Sequence, residues 1–236
     1  MRWLVGLACL VLAACDVTPT GAPSSPSTSS VSNSARWSPE EAARAFREVV
    51  TTVEPVAERE CRRRTNDVNC DFRIIVDRDP RAPANAYQSL ADNGRPEITF
   101  TIGLIAEVRN ADELAFVLAH EASHHIEGHL QRQSENAAAG AVIFQGLATL
   151  TGASASDVEA ASDLGAFVGA RSYSKEFELE ADALGTVIAY RAGYNPLRGA
   201  EFFNRIPDPG NRFLGSHPPN AERIEIVRRT YDRIAS

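Results

Sequence analysis

Two histidines and one glutamate have the types and spacing that metal-dependent hydrolysis requires. His120 and His124 stand four residues apart, and Glu121 follows the first of them. On an α-helix, residues four apart lie on one face about 6 Å apart along the axis, so both imidazoles can reach one zinc ion at about 2.0–2.1 Å. Glu121 lies about 100° round the helix from His120, where its carboxylate can act as a general base on a water molecule.

A helix that passes through the core is predicted to carry this motif. Residues 114–119, just before it, are apolar on nearly every side. Asn110 is a good N-cap, and Asp112 and Glu113 lie in the first turn, where the helix dipole favours negative charge. Ionisable side chains in a core are costly unless they are paired or bind a metal. This context favours metal binding over the alternative of a chance match with histidines satisfied by ordinary hydrogen bonds.

A catalytic zinc site also needs a third protein ligand and one open position. A second helix is predicted over residues 174–185, where Glu178 and Asp182 are four apart and share a face. Glu178 is the candidate ligand, and Asp182 is the candidate to orient a ligand histidine by accepting its second N–H. Glu176 and Glu180 are predicted on a solvated acidic face, which is also the alternative for Glu178.

The two predicted helices together resemble the HtpX/BepA-like metallopeptidases, a gluzincin family that includes the Ste-type CAAX prenyl proteases and the Oma-type proteases. In that family a His-Glu-x-x-His helix precedes a Glu-x-x-Ala-Asp helix, matched here at residues 178–182. Four further family motifs have counterparts in the same order, at residues 85–87, 101–104, 193–196 and 216–218 with Arg223. The resemblance covers roughly residues 40–230.

The resemblance implies a zinc site with His120, His124 and Glu178 as ligands, Glu121 as catalytic base and Asp182 behind a ligand. It also implies the class of fold. We expect an α+β architecture, a mainly helical zincin-type domain with a small β-sheet. An edge strand of that sheet lies beside the active-site helix, where it can accept an extended peptide as one more strand.

Two further histidines follow the motif. His125 departs from the family, which usually has an apolar residue there, but it lies about 100° from His124 on the helix and is therefore a poor competing ligand. His129 falls where many relatives also carry histidine, and structural hydrogen bonding is its predicted role. A surface metal contact by His125 and His129, which are four apart, is a minor alternative.

His217 and Arg223 are candidate active-site residues near the end of the chain. Pro218 and Pro219 stiffen the segment, and a terminal helix is predicted over residues 219–234. Either His217 or Arg223 can donate a hydrogen bond to the developing oxyanion, or His217 can occupy the open zinc position as a latch. The alternative for His217 is an ordinary turn residue.

The amino-terminal segment indicates export. Residues 1–14 read as a lipoprotein signal peptide, and the end of this segment with Cys15 resembles the bacterial lipobox, in which the cysteine is acylated. The alternative is ordinary cleavage that leaves Cys15 unmodified. Residues 15–36 are a Ser/Thr/Pro-rich flexible tether. Asp16 resembles the retention signal of enteric inner-membrane lipoproteins, so a membrane anchor facing the periplasm is expected, with the inner membrane slightly favoured.

Residues 37–236 are predicted to form one metallopeptidase domain. A helix is expected over residues 39–63, and strands over residues 72–76 and 97–101. Cys61 and Cys70, nine positions apart, are predicted to form a disulfide in an oxidising compartment, with two free thiols as the alternative. The net charge of -7 argues against a nucleic-acid partner.

The apolar stretch at residues 137–150 is too short to span a bilayer. A close-packed core helix, a lid over the cleft and a membrane-facing hairpin arm are the alternatives for it. The function expected overall is zinc-dependent endoproteolysis of unfolded or extended polypeptides, as quality control of misfolded or membrane-associated envelope proteins. A non-proteolytic periplasmic chaperone or assembly lipoprotein that uses the same groove is the alternative. No oligomeric state is predicted.

Overall fold

Helices dominate the part of the chain that the structure, a computed structural model, describes: residues 37–172, 174–210 and 217–236. The predicted signal peptide, Cys15 and the tether up to residue 36 lie outside these residues. The elements in chain order are α1 (Pro39–Arg64), β1 (Arg73–Asp77), β2 (Ala86–Leu90), β3 (Pro96–Thr101), α2 (Ile102–Glu107), α3 (Ala111–Ile126), α4 (His129–Leu150), α5 (Ala155–Ser172), α6 (Ser174–Arg191), α7 (Pro196–Gly199), a 3-10 helix (Ala200–Asn204) and α8 (Asn220–Ala235). The α+β prediction is confirmed.

Helix α1 begins where the sequence predicts. The Ser38 hydroxyl accepts from the backbone N–H of Glu41, whose carboxylate accepts in turn from the backbone N–H of Ser38, and Pro39 takes the first helical position. Val49 and Val53 are fully buried and pack in the main core. The expectation of a helix over residues 39–63 is confirmed.

The sheet has the order β1-β3-β2, with β3 at its centre. Strand β1 runs parallel to β3, with Ile74 opposite Ile98, and β2 runs antiparallel to it, with Tyr87 opposite Thr99. Both predicted strands are confirmed to within one residue at each end. Strand β2 is not among the predicted strands, because its sequence Ala-Tyr-Gln-Ser-Leu contains no β-branched residue and no clear alternation.

One threonine joins the edge strand to the helix that follows the sheet. The hydroxyl of Thr101 accepts hydrogen bonds from the backbone N–H groups of Asn85 and Leu104, at 2.9 and 3.2 Å. The Thr101 backbone N–H also donates to the Asn85 carbonyl, at 2.9 Å. Gly103 packs closely here, because a Cβ at this position would lie 3.3 Å from the Ala84 backbone, which is a tight contact. Two of the sequence motifs therefore meet in space and fix where β2 begins.

Helix α3 passes through the core, as predicted. Its apolar residues Leu114, Ala115, Leu118 and Ala119 are fully buried, and they pack in one cluster with α1, the sheet and α6. The Asn110 side chain caps the helix by accepting from the backbone N–H of Glu113 at 3.0 Å. Among the described residues, no helix combines the length and the apolar character that crossing a membrane requires.

Helices α4 and α5 form an antiparallel hairpin held by close backbone contact. A Cβ at Gly165 would lie 2.2 Å from the Gly140 carbonyl oxygen, and one at Gly169 would lie 2.0 Å from that of Asn136. The outer surface is apolar and exposed; its large side chains are Val142, Ile143, Leu147, Leu150, Leu164 and Phe167. The interpretation of residues 137–150 as a core helix is therefore wrong, because the glycines bring α4 against α5 rather than into the core.

A disulfide joins Cys61, near the end of α1, to Cys70, just before β1. Both residues are buried in the main cluster. The described residues all lie within one compact unit. The disulfide therefore ties the long first helix to the start of the sheet.

Glu60 forms a buried ionic cluster near the end of α1. Its carboxylate is 3 % exposed and pairs with Arg63 at 2.8 Å, with Arg64 at 3.3 Å and with Arg191 of α6. Burial alone would raise the pKa of Glu60, but the hydrogen bonds and charges of these arginines lower it below the usual value. The cluster therefore stabilises the contact between α1 and α6 only while Glu60 is ionised.

Replacing Glu60 by glutamine (E60Q) is expected to lower the free energy of unfolding by about 1.5–3 kcal/mol at pH 7. A lowered carboxyl pKa contributes stability above its unfolded value of about 4.3, and this stability is lost as the pH falls through the folded value. The difference from wild type, measured by urea unfolding, should therefore shrink below about pH 4.

The control is Glu58→Gln, because Glu58 pairs with the exposed Arg62 on the same helix. We expect a change of about 0.5 kcal/mol or less for this exposed pair. An equal loss for both variants, or a Glu60 effect that does not depend on pH, would contradict the assignment of a buried ionic cluster.

Candidate metal centre

The three predicted ligands converge. Helix α3 supplies His120 and His124, whose Nε2 atoms lie 3.0 Å apart, and α6 supplies Glu178. One Glu178 carboxylate oxygen lies 3.6 Å from the Nε2 atom of His120, and the other lies 3.5 Å from that of His124. These side chains form a group of ligand atoms that all lie within 4.8 Å of one another.

This arrangement fits a zinc ion. With bonds of about 2.0–2.1 Å, the ligand atoms of a tetrahedral site stand about 3.3–3.4 Å apart. The separations of 3.0, 3.5 and 3.6 Å lie on either side of that value. Two imidazoles with one glutamate also form a donor set found in catalytic zinc sites, where a fourth position stays open. The residues present therefore suit zinc as a catalytic ion.

A glycine lets α6 approach α3 at the site. A Cβ at Gly185 would lie 3.1 Å from the backbone N and Cα of His120, closer than side chains normally come. Gly185 follows Glu178 by seven residues and Asp182 by three, so the three residues share one face of α6. Sequence analysis does not identify Gly185, although this spacing is a signal that could have done so.

Asp182 contacts the first ligand histidine, where it can take the orienting role that stays a prediction. Its carboxylate is fully buried and lies 2.9 Å from His120 Nδ1, on the side of the ring away from the ion site. Burial alone would lower the pKa of His120, but the hydrogen bonds to Asp182 and Glu178 raise it to about 10. Without a metal the ring therefore carries a proton on both nitrogens. Nδ1 keeps the proton that it donates to Asp182, and a metal ion has to displace the proton on Nε2.

Arg223 supports Asp182. Its Nε and one terminal nitrogen each donate to the Asp182 carboxylate at 2.7 Å, and the guanidinium lies over the Phe203 ring at 4.0 Å. The same terminal nitrogen lies 3.4 Å from Glu178. Arg223 also lines the cleft, but two of its three nitrogens are bound to Asp182, so His217, whose side chain is 53 % exposed, is the more available of the two predicted oxyanion donors.

The second ligand has its own polar partners. His124 Nδ1 lies 2.8 Å from His129 Nδ1, and His129 Nε2 lies 3.0 Å from the carboxylate of Glu180. Arg132 also donates to Glu180, at 2.5 Å. The Glu180 side chain is 41 % exposed, as the prediction of a solvated acidic face expects, but its carboxylate also connects α6 to His129 at the start of α4.

His125 points away from the ligands. Its Nε2 atom lies 2.8 Å from the carbonyl oxygen of Asn69, and its ring packs edge-on against Phe72. His125 and His129 therefore each contact different residues, and the alternative of a shared surface metal is not supported.

Glu121 is buried beside the ligands at the edge strand. The backbone N–H of Gln88 in β2 faces this carboxylate and is among the groups that lower the pKa of Glu121. Burial is the main cause that raises the pKa of Glu121, to about 7, with His120 lowering it and Glu178 raising it. A carboxyl group that exchanges a proton near neutral pH suits a general base.

The ion site lies in a cleft of about 780 Å³. Its walls combine apolar and polar side chains, among them Tyr87, Gln88, Leu130, Phe202, Ile206 and His217. His217 Nδ1 lies 3.2 Å from a Glu178 carboxylate oxygen, and the His217 side chain is 53 % exposed. The structure thus brings His217 to the cleft beside a ligand, while its predicted roles as oxyanion donor or latch stay predictions.

Comparison with known proteins identifies the family. Residues 43–231 match peptidase family M48, and this match covers most of the chain, which therefore belongs to that family. The resemblance stated from the sequence motifs is confirmed.

Two curated relatives carry protease names. The chain is 28% identical over 164 residues to a beta-barrel assembly-enhancing protease of Vibrio cholerae, covering 65% of the chain and 32% of the relative. It is 30% identical over 168 residues to mitochondrial metalloendopeptidase OMA1 of Saccharomyces cerevisiae, covering 67% of the chain and 46% of the relative. The chain thus matches from about a third to just under half of the length of these relatives.

Proposed function

We propose that the protein is a zinc-dependent endopeptidase. The observation that carries this proposal is the convergence of His120, His124 and Glu178, with Glu121 beside them, in a cleft large enough for a peptide segment. Membership of peptidase family M48 and the protease names of both relatives support it.

Each residue of the site has a separate role in the proposed peptide hydrolysis. A zinc ion held by the three ligands would polarise the scissile carbonyl and lower the pKa of a water molecule. Glu121 takes the proton from the attacking water and delivers it to the leaving amine. Asp182 and Arg223 keep the His120 ring in place, and His217 at the cleft donates a hydrogen bond to the developing oxyanion.

The edge strand β2 can bind the substrate backbone. Asn85 and Ala91 bond to the β3 side, so by the alternation of an antiparallel pair Ala86 and Gln88 turn their backbone groups outward to the cleft. The Gln88 N–H already points to Glu121, which agrees with this direction. Strand addition of this kind suits extended polypeptides of varied sequence.

The test of catalysis is Glu121→Gln, which removes the base but keeps the shape of the side chain. We expect hydrolysis of unfolded casein to fall by about 10²–10⁴-fold, because general-base catalysis contributes that much. Zinc content, measured by metal analysis, should stay at the wild-type value. Chelation should abolish wild-type hydrolysis, and added zinc should restore it.

The control is Glu135→Gln on the exposed side of α4, which should retain full activity. Undiminished casein hydrolysis by Glu121→Gln would rule out the proposed base. The same variant separates the second candidate function, a non-proteolytic chaperone that holds extended clients in the cleft. A chaperone would keep its ability to prevent client aggregation and its cellular activity in the variant, whereas a protease would lose its cellular activity.

His217→Ala tests the oxyanion donor. The expected result is a fall in kcat of about 10–10³-fold with zinc content unchanged, because the lost hydrogen bond acts on the transition state. A rise in kcat would instead assign His217 to a latch that blocks the open position. Unchanged turnover would remove His217 from the mechanism altogether.

We further propose that the enzyme works at the bacterial cell envelope, where a lipid on Cys15 anchors it to a membrane. The domain faces the periplasm, and the inner membrane is slightly favoured over the outer membrane. Misfolded or membrane-associated envelope proteins are the proposed substrates. The name of the Vibrio relative refers to beta-barrel assembly, which supports this substrate class. The α4–α5 hairpin supports a position near lipid, since residues 137–156 carry no charged side chain and Ile143, Leu147 and Leu150 are exposed on α4.

Lipid attachment is tested by labelling cells that express the full chain with radioactive palmitate. We expect the wild-type protein and the Cys9→Ser control to incorporate label, because Cys9 lies in the predicted signal peptide. Cys15→Ser should incorporate none. Label on the Cys15→Ser protein, or no label on wild type, would contradict an acyl anchor at this position.

A further inference from the structure

A row of polar side chains lies behind His124, on the side of the ring away from the ion site. We call this row the His129 relay. It runs from His124 through His129 to Glu180, with nitrogen–nitrogen and nitrogen–oxygen distances of 2.8 and 3.0 Å. Arg132 lies at its end and pairs with the Glu180 carboxylate at 2.5 Å. The simplest interpretation is a purely structural role, in which these hydrogen bonds only join α4 to α6.

The chemistry at the end of the row sets the direction of every hydrogen bond in it. A carboxylate paired with a guanidinium can only accept, so His129 must donate to Glu180 from Nε2. In a neutral imidazole the other nitrogen then carries a lone pair, so His129 Nδ1 must accept from His124 Nδ1–H. His124 Nε2 is consequently left without a proton, and this is the nitrogen that faces His120 and Glu178.

We propose that Glu180 and His129 are positioning residues that hold His124 in the tautomer whose Nε2 lone pair faces the metal ion. This inference rests on the proposed zinc site but concerns the protonation of one ring, which can be observed without metal. Neither residue belongs to the group of three ligands. Their action is on the orientation and tautomer of His124.

Packing holds the relay still. His129 is buried, with 4 % of its surface exposed, and its ring stacks on Phe177 at 4.6 Å with an interplanar angle of 11°. The Arg132 guanidinium lies 4.3 Å from the centre of the same Phe177 ring. Because Phe177 precedes the ligand Glu178, the relay and the third ligand are fixed by the same turn of α6.

The geometry of α6 explains why a second imidazole lies between His124 and its carboxylate, whereas His120 contacts its carboxylate directly. Asp182 shares the face of Glu178 and reaches His120 Nδ1 directly, at 2.9 Å. Glu180 lies about 200° round the helix from Glu178, so its carboxylate is turned away from the site. The imidazole of His129 spans this gap. Each ligand histidine is thus oriented by a different carboxylate of the same helix.

The tautomers can be observed directly, because the chain has only five histidines. Long-range proton–nitrogen NMR spectra of the ¹⁵N-histidine-labelled full chain distinguish Nδ1–H from Nε2–H rings. In the metal-free protein we expect His124 as the Nδ1–H tautomer and His129 as the Nε2–H tautomer. In Glu180→Ala the His129 signal should lose this preference, whereas in Glu176→Gln, a control on the same helix, both signals should match wild type.

Zinc affinity gives the second measurement, by competition with a chromophoric chelator. His129→Leu should weaken zinc binding by about 10–100-fold, the usual cost of losing a partner that orients a ligand. His129→Asn should retain most of the affinity, because its amide oxygen can take the place of Nδ1 and accept from His124. A role in packing alone would give equal losses for the two variants, since neither fills the space of the ring.

Two results would overturn the proposal: an Nε2–H tautomer for His124 in the metal-free wild type, or zinc affinity unchanged in both His129→Leu and Glu180→Ala. Failure of the proposed function is distinguishable from either. If the wild-type protein bound no zinc, the metal site itself would be wrong, while the spectra would still decide whether the relay sets the His124 tautomer.

Discussion

The close approach of α3 and α6 is the constraint on which the site depends. Two imidazoles and a carboxylate must come within about 3–4 Å of one another in a largely buried place, although Glu178 follows His124 by 54 positions in the chain. Gly185 removes the side chain that would keep the helices apart at His120. The cost of burying the charged groups is offset because Asp182 pairs with Arg223, a buried arginine, in two hydrogen bonds.

Helix α1, helix α8 and the sheet each help to position the contact between α3 and α6. Helix α1 packs on α3 from one side, and Glu60 connects α1 to α6 through Arg191. The start of α8 is anchored because the amide of Asn220 donates to the carbonyls of Phe203 and Ile206, at 2.9 and 3.2 Å, which brings Arg223 to Asp182. The sheet presents β2 along the cleft, so the strand suited to bind a peptide backbone lies directly beside Glu121. The proposed peptide-binding edge and the proposed general base are therefore neighbours, with the backbone N–H of Gln88 facing the Glu121 carboxylate.

The residues that could be predicted from the sequence are those whose role follows from spacing along one helix. His120 and His124 are of this kind, as is the cap at Asn110. Spacing places Glu178 and Asp182 on one face of α6, but their proposed roles come from the resemblance to the family. The features that could not be predicted from the sequence depend on contacts between secondary-structure elements. Strand β2 lacks the residue types of a strand and exists because β3 and Thr101 hold it. Glu180 has the spacing of a solvated residue, and only the position of α4 gives it a buried partner. The exposure of the α4–α5 hairpin likewise follows from the pairing of Gly140 with Gly165.

The central claim is that one divalent cation binds between α3 and α6, and zinc X-ray absorption with metal analysis tests it most directly. The account predicts one zinc per chain with a first shell of two imidazole nitrogens and oxygen, and no sulfur. In Glu178→Ala the two imidazoles should remain in the spectrum while affinity falls sharply. A wild-type protein that binds no zinc, or a shell with one histidine or none, would contradict the account.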